Sequence, residues 1–138
     1  MKAYITKSAE ETKQVARNLA KKSHGIIALV GELGAGKTTF TQGFAGGLGI
    51  KDKIISPTFV LIRQHPIPTT KKILYHIDLY RLEETKDIKN LGIQEIIDNP
   101  NNIILIEWAE KIRDLLTKDV IWISLKATSP NTREIVID

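Results

Sequence analysis

The sequence predicts an α/β fold: a central mixed sheet, mostly parallel, flanked by helices and finished by antiparallel strands at its edges. Three observations carry that expectation. The glycine-rich stretch Gly31-Glu32-Leu33-Gly34-Ala35-Gly36-Lys37-Thr38 lies between an apolar run, Gly25–Val30, and a helix-like segment starting at Thr39. Ile103-Ile104-Leu105-Ile106 is an unbroken apolar run, the pattern of a strand buried on both faces of a parallel sheet. The tail alternates in Val120–Leu125 and again in Glu134–Ile137, with Ser129-Pro130-Asn131 as a turn between them. That pattern predicts an antiparallel pair exposed on one side. At 138 residues the chain is read as one domain, 1–138, with little room for a second core.

Taken in order, residues 3–6 read as a short strand, and Ser8 or Thr6 caps a helix from Ala9 to Lys22. Val15, Ala16 and Leu19 fall on its inner side. The helix after the glycine loop is expected to stop near Gly46-Gly47-Leu48-Gly49, which is rich in residues suited to a helix C-cap. Ser56-Pro57-Thr58 is turn-like. Phe59–Arg63 reads as a strand broken by the loop 65–70, and Ile73–Asp78 as a second strand pairing with it in a long-looped hairpin. Glu83–Asp98 has a helical pattern interrupted at Gly92. Asn99-Pro100-Asn101-Asn102 forms a turn ahead of the strand at 103–106, and a short helix covers Ala109–Leu116.

Composition narrows the function classes. Hydrophobic residues make up 42% and charged ones 26%, the balance of an ordinary soluble globular protein. No apolar run approaches the ~20 residues that span a bilayer, and the N-terminus lacks a signal-peptide core, so a cytoplasmic location is expected. The absence of cysteine excludes disulfides, thiolate metal sites and cysteine nucleophiles. The net charge of +4 comes mostly from dispersed lysines, which read as a solvated surface, with a weak RNA-facing patch as the alternative. No aromatic–basic interleaving suggests a nucleic-acid strip, and neither DNA nor a membrane is expected as a partner.

Residues 31–38 form a complete phosphate-binding P-loop, the Walker A pattern. Strand, glycine loop and helix N-terminus direct backbone N–H groups at an anion. Lys37 is suited to the β- and γ-phosphates as a mobile point charge, and the Thr38 hydroxyl to Mg²⁺. Glu32, Leu33, Gly34, Ala35, Gly36, Lys37, Thr38 and Thr39 are therefore the expected nucleotide contacts.

A P-loop hydrolase also needs an acid for its metal and a group to orient water, placed beyond the carboxyl ends of neighbouring strands. Asp78 and Glu107 each end a strand-like run; each also stands where it could cap a following turn. Spacing does not divide the two roles between them. Thr58, with Ser56, lies in a Pro-containing loop beyond the P-loop helix, where switch-type nucleotidases sense the γ-phosphate. His24, His65 and His76 are not at metal-ligand spacings. His76 reads either as a packed histidine or as a hydrogen-bonding neighbour of the site. Trp108 reads as a pocket wall and Trp122 as core. Arg63 and Arg81 lie near site segments, with a surface role as their default.

Four motifs occur in order: the P-loop through Thr39, Ser56-Pro57-Thr58-Phe59, His76-Ile77-Asp78-Leu79-Tyr80-Arg81 and Ile106-Glu107-Trp108-Ala109-Glu110. Together they resemble the TsaE (YjeE) family of small bacterial P-loop ATPases of tRNA threonylcarbamoyladenosine (t6A) biosynthesis. The resemblance implies ATP binding and hydrolysis to ADP with Mg²⁺, in association with TsaB and TsaD, and contact with tRNA only through that complex. TsaD, not TsaE, transfers the threonylcarbamoyl group. The resemblance makes Lys37 and Thr38 the phosphate and Mg²⁺ contacts, and Ser56-Pro57-Thr58 a switch I-like segment. It makes Asp78 a switch II-like acid, Glu107 the acid at the Mg²⁺ site and Trp108 a neighbour of the nucleotide. On this reading Asp78 orients water, catalysis rests on Asp78, Lys37 and Glu107, and the ATPase is slow without its partners.

Three rivals are weighed. A small-molecule kinase needs an acceptor pocket and an arginine-bearing lid, and no lid-like insertion is evident. A GTPase needs Asn/Thr-Lys-x-Asp, whereas Thr85-Lys86-Asp87 and Thr117-Lys118-Asp119 bring the acid one residue early. A nucleotide-gated scaffold with incidental hydrolysis stays open.

Overall fold

A computed structural model describes residues 1–22, 25–54, 62–81, 92–116 and 119–138. Its strands are β1 (Lys2–Thr6), β2 (Ile26–Val30), β3 (Ile62–Pro66), β4 (Ile73–Asp78), β5 (Asn102–Glu107), β6 (Val120–Ser129) and β7 (Thr132–Ile137). Among the described residues, three α-helices join them: α1 (Ala9–Ala20), α2 (Lys37–Gly47) and α3 (Ile93–Asp98), together with a 3₁₀ segment at Ala109–Leu115. All seven strands form one sheet in the order β1-β7-β6-β2-β5-β4-β3. The inner strands β6, β2, β5 and β4 run parallel, and β1, β7 and β3 add antiparallel edges. The expected mixed sheet, mostly parallel at its centre, is what forms.

Two apolar layers hold the sheet from either side. On one face α1 and α2 bring Ala16, Ala20, Phe40 and Phe44 against Ile27, Leu29, Leu105 and Ile123. On the other, Ile93, Ile97, Ala109 and Ile112 pack on Ile26, Ala28, Ile104 and Ile106. Every residue of β5 is buried, and its side chains alternate between the two layers. That is why its sequence shows no polar alternation.

Local chemistry sets the helix ends. Ser8 caps α1 by accepting the Glu11 N–H at 3.1 Å, and Glu11 reaches back to the Lys7 N–H at 2.9 Å. The helices then press together closely at Gly43. A Cβ there would lie 2.5 Å from both the Cα and the carbonyl oxygen of Lys13, so only glycine lets α2 sit this near α1.

Three expectations need correction. The strand expected at Phe59–Arg63 runs as β3 to Pro66, which pairs with Ile73; an edge strand tolerates proline because its N–H side faces no neighbour. The short helix expected at Ala109–Leu116 does form, as a 3₁₀ segment over Ala109–Leu115, with Ile112 at φ −124° breaking the helical path. Helix α1 ends at Ala20, two residues early. The terminal hairpin is not merely peripheral, since β6 also pairs in parallel with β2 and so belongs to the centre of the sheet. Trp122 is half-buried against the second layer, with the Arg113 guanidinium 4.1 Å from its ring centre. Residues 55–61, 82–91 and His24 lie outside the described residues, and with them the Ser56 and Thr58 switch assignment and most of the 83–92 helical pattern.

Candidate nucleotide site

The carboxyl ends of β2, β4 and β5 share one edge of the sheet, where ligands of open α/β folds bind. From β2 the chain turns through residues 31–36 and enters α2 at Lys37. Gly36, the residue before the helix, takes φ +102°, a left-handed conformation that a side chain would oppose. The first turn of α2 carries no acidic residue, so its N-terminal partial positive charge is left for an anion.

Lys37 is 6% exposed. Its Nζ donates to the Gly31 carbonyl and, at 2.9 Å, to that of Glu32, and stands 4.1 Å from the centre of the Trp108 ring. Burial lowers its pKa, while the charges of Glu107, Glu110, Asp78 and Glu32 oppose that shift. The Lys37 side chain is thus held among carbonyls, an aromatic face and carboxylates, whose charges offset part of the cost of its burial.

Opposite the loop stand the two acids. Strand register pairs Asp78 directly with Glu107 across β4 and β5. Alternation puts His76 and Asp78 on the face that carries Leu74, and Glu107 on the face that carries Leu105, and both of these leucines belong to the α1–α2 layer. All three polar side chains therefore lie on the α2 side. Each is buried: His76 0%, Glu107 2% and Asp78 7% exposed. His76 Nε2 lies 2.5 Å from Glu107 Oε2. Asp78 Oδ1 accepts the Tyr80 N–H at 3.0 Å, so this acid does shape the turn after β4. Among the described residues, the Glu107 carboxylate makes no such turn bond; its backbone carbonyl accepts the Leu79 N–H at 3.2 Å.

Trp108 follows at φ +60°, with its ring centre 5.2 Å from that of Tyr80. Lys111 Nζ donates to the Tyr80 carbonyl at 2.6 Å and ties the segments after β4 and β5 together. Glu110 is half-buried; burial raises its pKa, while its own backbone N–H and Lys37 oppose the rise. The sequence reading did not single Glu110 out. On the far side of the hairpin β3–β4, His65 has its pKa lowered, first by burial and next by the charge of His76.

A cleft of about 170 Å³ opens beside the loop, lined by Ser8, Thr12, Gly36, Thr39, Asn131 and Arg133, among others. Arg133 Nη1 donates to the carbonyls of Ser129 at 3.0 Å and Pro130 at 3.2 Å, which curls the guanidinium over its own hairpin. None of Ser8, Thr12, Asn131 and Arg133 was expected at the site. Gly36 and Thr39 link this cleft to the expected nucleotide contacts.

Among the described residues no three His, Asp or Glu side chains gather as a metal site by themselves. Thr38, Asp78 and Glu107 instead offer hard oxygen donors facing a phosphate cradle. That donor set fits Mg²⁺, which takes one or two carboxylates and completes its shell with phosphate oxygens and water.

Comparison with known proteins decides the family. The family model described as "Threonylcarbamoyl adenosine biosynthesis protein TsaE" matches residues 6–135. The chain belongs to the TsaE family. It is similar to the tRNA threonylcarbamoyladenosine biosynthesis protein TsaE of Bacillus subtilis, with 39% identity over 94% of this chain and 80% of that one. With the Treponema pallidum protein of the same name the identity is 36%, over 96% and 97% of the two chains. The crystal structure of Bacillus subtilis YdiB superposes with a TM-score of 0.79 at 34% identity, covering 99% of this chain and 83% of the other. The expected family and fold are both met. Among the described residues, no helix of this TsaE-family chain is long and apolar enough to cross a membrane.

Proposed function

We propose that this TsaE-family chain is an Mg²⁺-dependent ATPase that serves t6A formation on tRNA together with TsaB and TsaD, in the cytoplasm and as a single P-loop unit. The observation that carries the reading is the pairing of Asp78 with Glu107 at adjoining strand ends, both charged against the Lys37 ammonium of the P-loop.

The N–H groups of residues 32–39 and the α2 N-terminus hold the phosphates, and Lys37 turns from the Gly31 and Glu32 carbonyls to the β- and γ-oxygens. Trp108, tilted against Tyr80, walls this end of the site. The nucleoside end lies in the cleft between Ser8, Thr12, Asn131 and Arg133. Thr38 and Glu107 would hold Mg²⁺, which when bound neutralises charge on the phosphate oxygens. Asp78 orients the attacking water in line with the γ-phosphate, the bond from the γ-phosphorus to the bridging oxygen breaks, and ADP and phosphate leave. Ser56 and Thr58 complete the reading as the switch that senses the γ-phosphate. tRNA is met only through the complex.

Phosphate release from ATP, measured alone and then with TsaB, TsaD and tRNA, tests the reading. Slow basal turnover that the partners accelerate is the expected result. Equal rates in every mixture would sink the partner-dependent role, and no hydrolysis at all despite tight ATP binding would favour a nucleotide-gated scaffold.

A further inference from the structure

His76 has no place in the reading above, yet it is the most completely buried ionisable side chain described at the site, at 0% exposure. Its position follows from strand geometry. In the parallel register of β4 and β5, His76 stands opposite Leu105 and Asp78 opposite Glu107. Glu107 is thus the diagonal neighbour of His76 on the same face, within reach of a long side chain. Nε2 meets Glu107 Oε2 at 2.5 Å. Among the described residues the other oxygen, Oε1, accepts no hydrogen bond.

The opposite ring nitrogen makes the arrangement informative. Nδ1 is buried and, among the described residues, has no hydrogen-bond partner. A core that needed only volume at position 76 would be better served by an apolar side chain, because an orphaned buried nitrogen carries a desolvation cost. The imidazole is retained with one nitrogen unsatisfied and the other committed to a carboxylate. That carboxylate, itself 2% exposed, stands at a strand end facing the phosphate loop. An N–H held on one carboxylate oxygen fixes the rotamer of the acid and leaves the second oxygen for another ligand, the arrangement that outer partners of metal ligands adopt.

We infer that His76 is a positioning residue: its Nε2–H holds Glu107 Oε2 so that Oε1 is presented to the divalent cation of the nucleotide complex. The inference rests on Glu107 being a metal ligand, as proposed above. His76 touches neither nucleotide nor cation.

The test measures Mn²⁺ binding to the full chain with ADP by electron paramagnetic resonance, alongside ADP affinity without metal. His76→Leu removes the donor and is expected to weaken Mn²⁺ binding about 10- to 100-fold while metal-free ADP affinity holds. His76→Gln keeps an N–H near the position of Nε2 and is expected to restore most of the Mn²⁺ affinity. Unchanged Mn²⁺ binding in His76→Leu overturns the inference, as does an equal loss in His76→Gln or a parallel loss of metal-free ADP affinity. Failure of the unaltered ADP complex to bind Mn²⁺ overturns the metal-site reading itself, and so is told apart. Should His76→Leu not fold, ¹⁵N NMR of the unaltered protein decides. A proton on Nε2, with a resonance that moves when Mg²⁺ joins the ADP complex, supports the inference, and a proton on Nδ1 alone overturns it.

Discussion

The phosphate loop and the acid wall face each other across the site, but they are built in opposite ways. The loop is contiguous: residues 31–38 run from a strand into a helix, and most of its donors are backbone groups. The wall is assembled from His76, Asp78 and Glu107, roughly thirty residues apart in sequence and joined only by the parallel register of β4 and β5. The loop needs small residues and little else. The wall needs three buried polar side chains, which are costly wherever their partners fail. The loop is therefore set by local conformation, whereas the wall depends on the register of the sheet.

Lys37→Ala is the strongest way to break this comparison, because Lys37 is the one side chain that both halves share. Turnover is expected to fall about 10²- to 10³-fold, the scale for removing one electrostatic contact to the reacting group. Near-normal phosphate release by a folded variant would remove Lys37 from the site.

The wall can be divided by Glu107→Gln and Asp78→Asn. The first is expected to raise the Mg²⁺ concentration needed for half-maximal activity about 10- to 100-fold. The second should lower kcat about 10²-fold with Mg²⁺ dependence kept. Identical profiles would show that the two acids act as one unit and not in separate roles.

Behind the loop, Gly43→Ala tests how rigidly α2 is seated. Helix propensity alone favours alanine by about 1 kcal/mol. Contact of the new Cβ with the Lys13 backbone opposes it, and overpacking costs about 1–3 kcal/mol. Chemical denaturation is expected to report a net loss of stability. A gain would mean that the two helices are free to part.

The smallest effect is expected at the cleft. Arg133→Ala removes a guanidinium already bound to its own hairpin, so nucleotide affinity should drop only about two- to ten-fold. Calorimetric titration with ADP measures it, and an unchanged affinity would detach the β6–β7 turn from the nucleoside end.

The same contrast explains what could be read in advance. The P-loop, β2 and α2 were legible because their signals are local: an apolar run, glycines at fixed spacing and a helix start. Strand β5 was legible because burial on both faces leaves an unbroken apolar string. Asp78 and Glu107 could be nominated from their places at strand ends, but not paired. His76 could be read equally as core or as site. Arg133 and Asn131 gave no signal, because nothing local ties a hairpin turn to Gly36 nearly a hundred residues earlier. The short helix at 109–115 was legible but its 3₁₀ type was not, because an α-helix and a 3₁₀ turn share the same short-range apolar pattern.

By itself, then, the sequence determined the phosphate cradle, the class of fold and, through four ordered motifs, the family, since each depends on residues close together along the chain. The tertiary structure alone decided which polar groups meet: Glu107 with His76, Asp78 beside Glu107, Lys37 against Trp108, and the terminal hairpin beside the loop. Those meetings depend on strand order and register, which put a side chain on one face or the other and are fixed by the packing of both layers together.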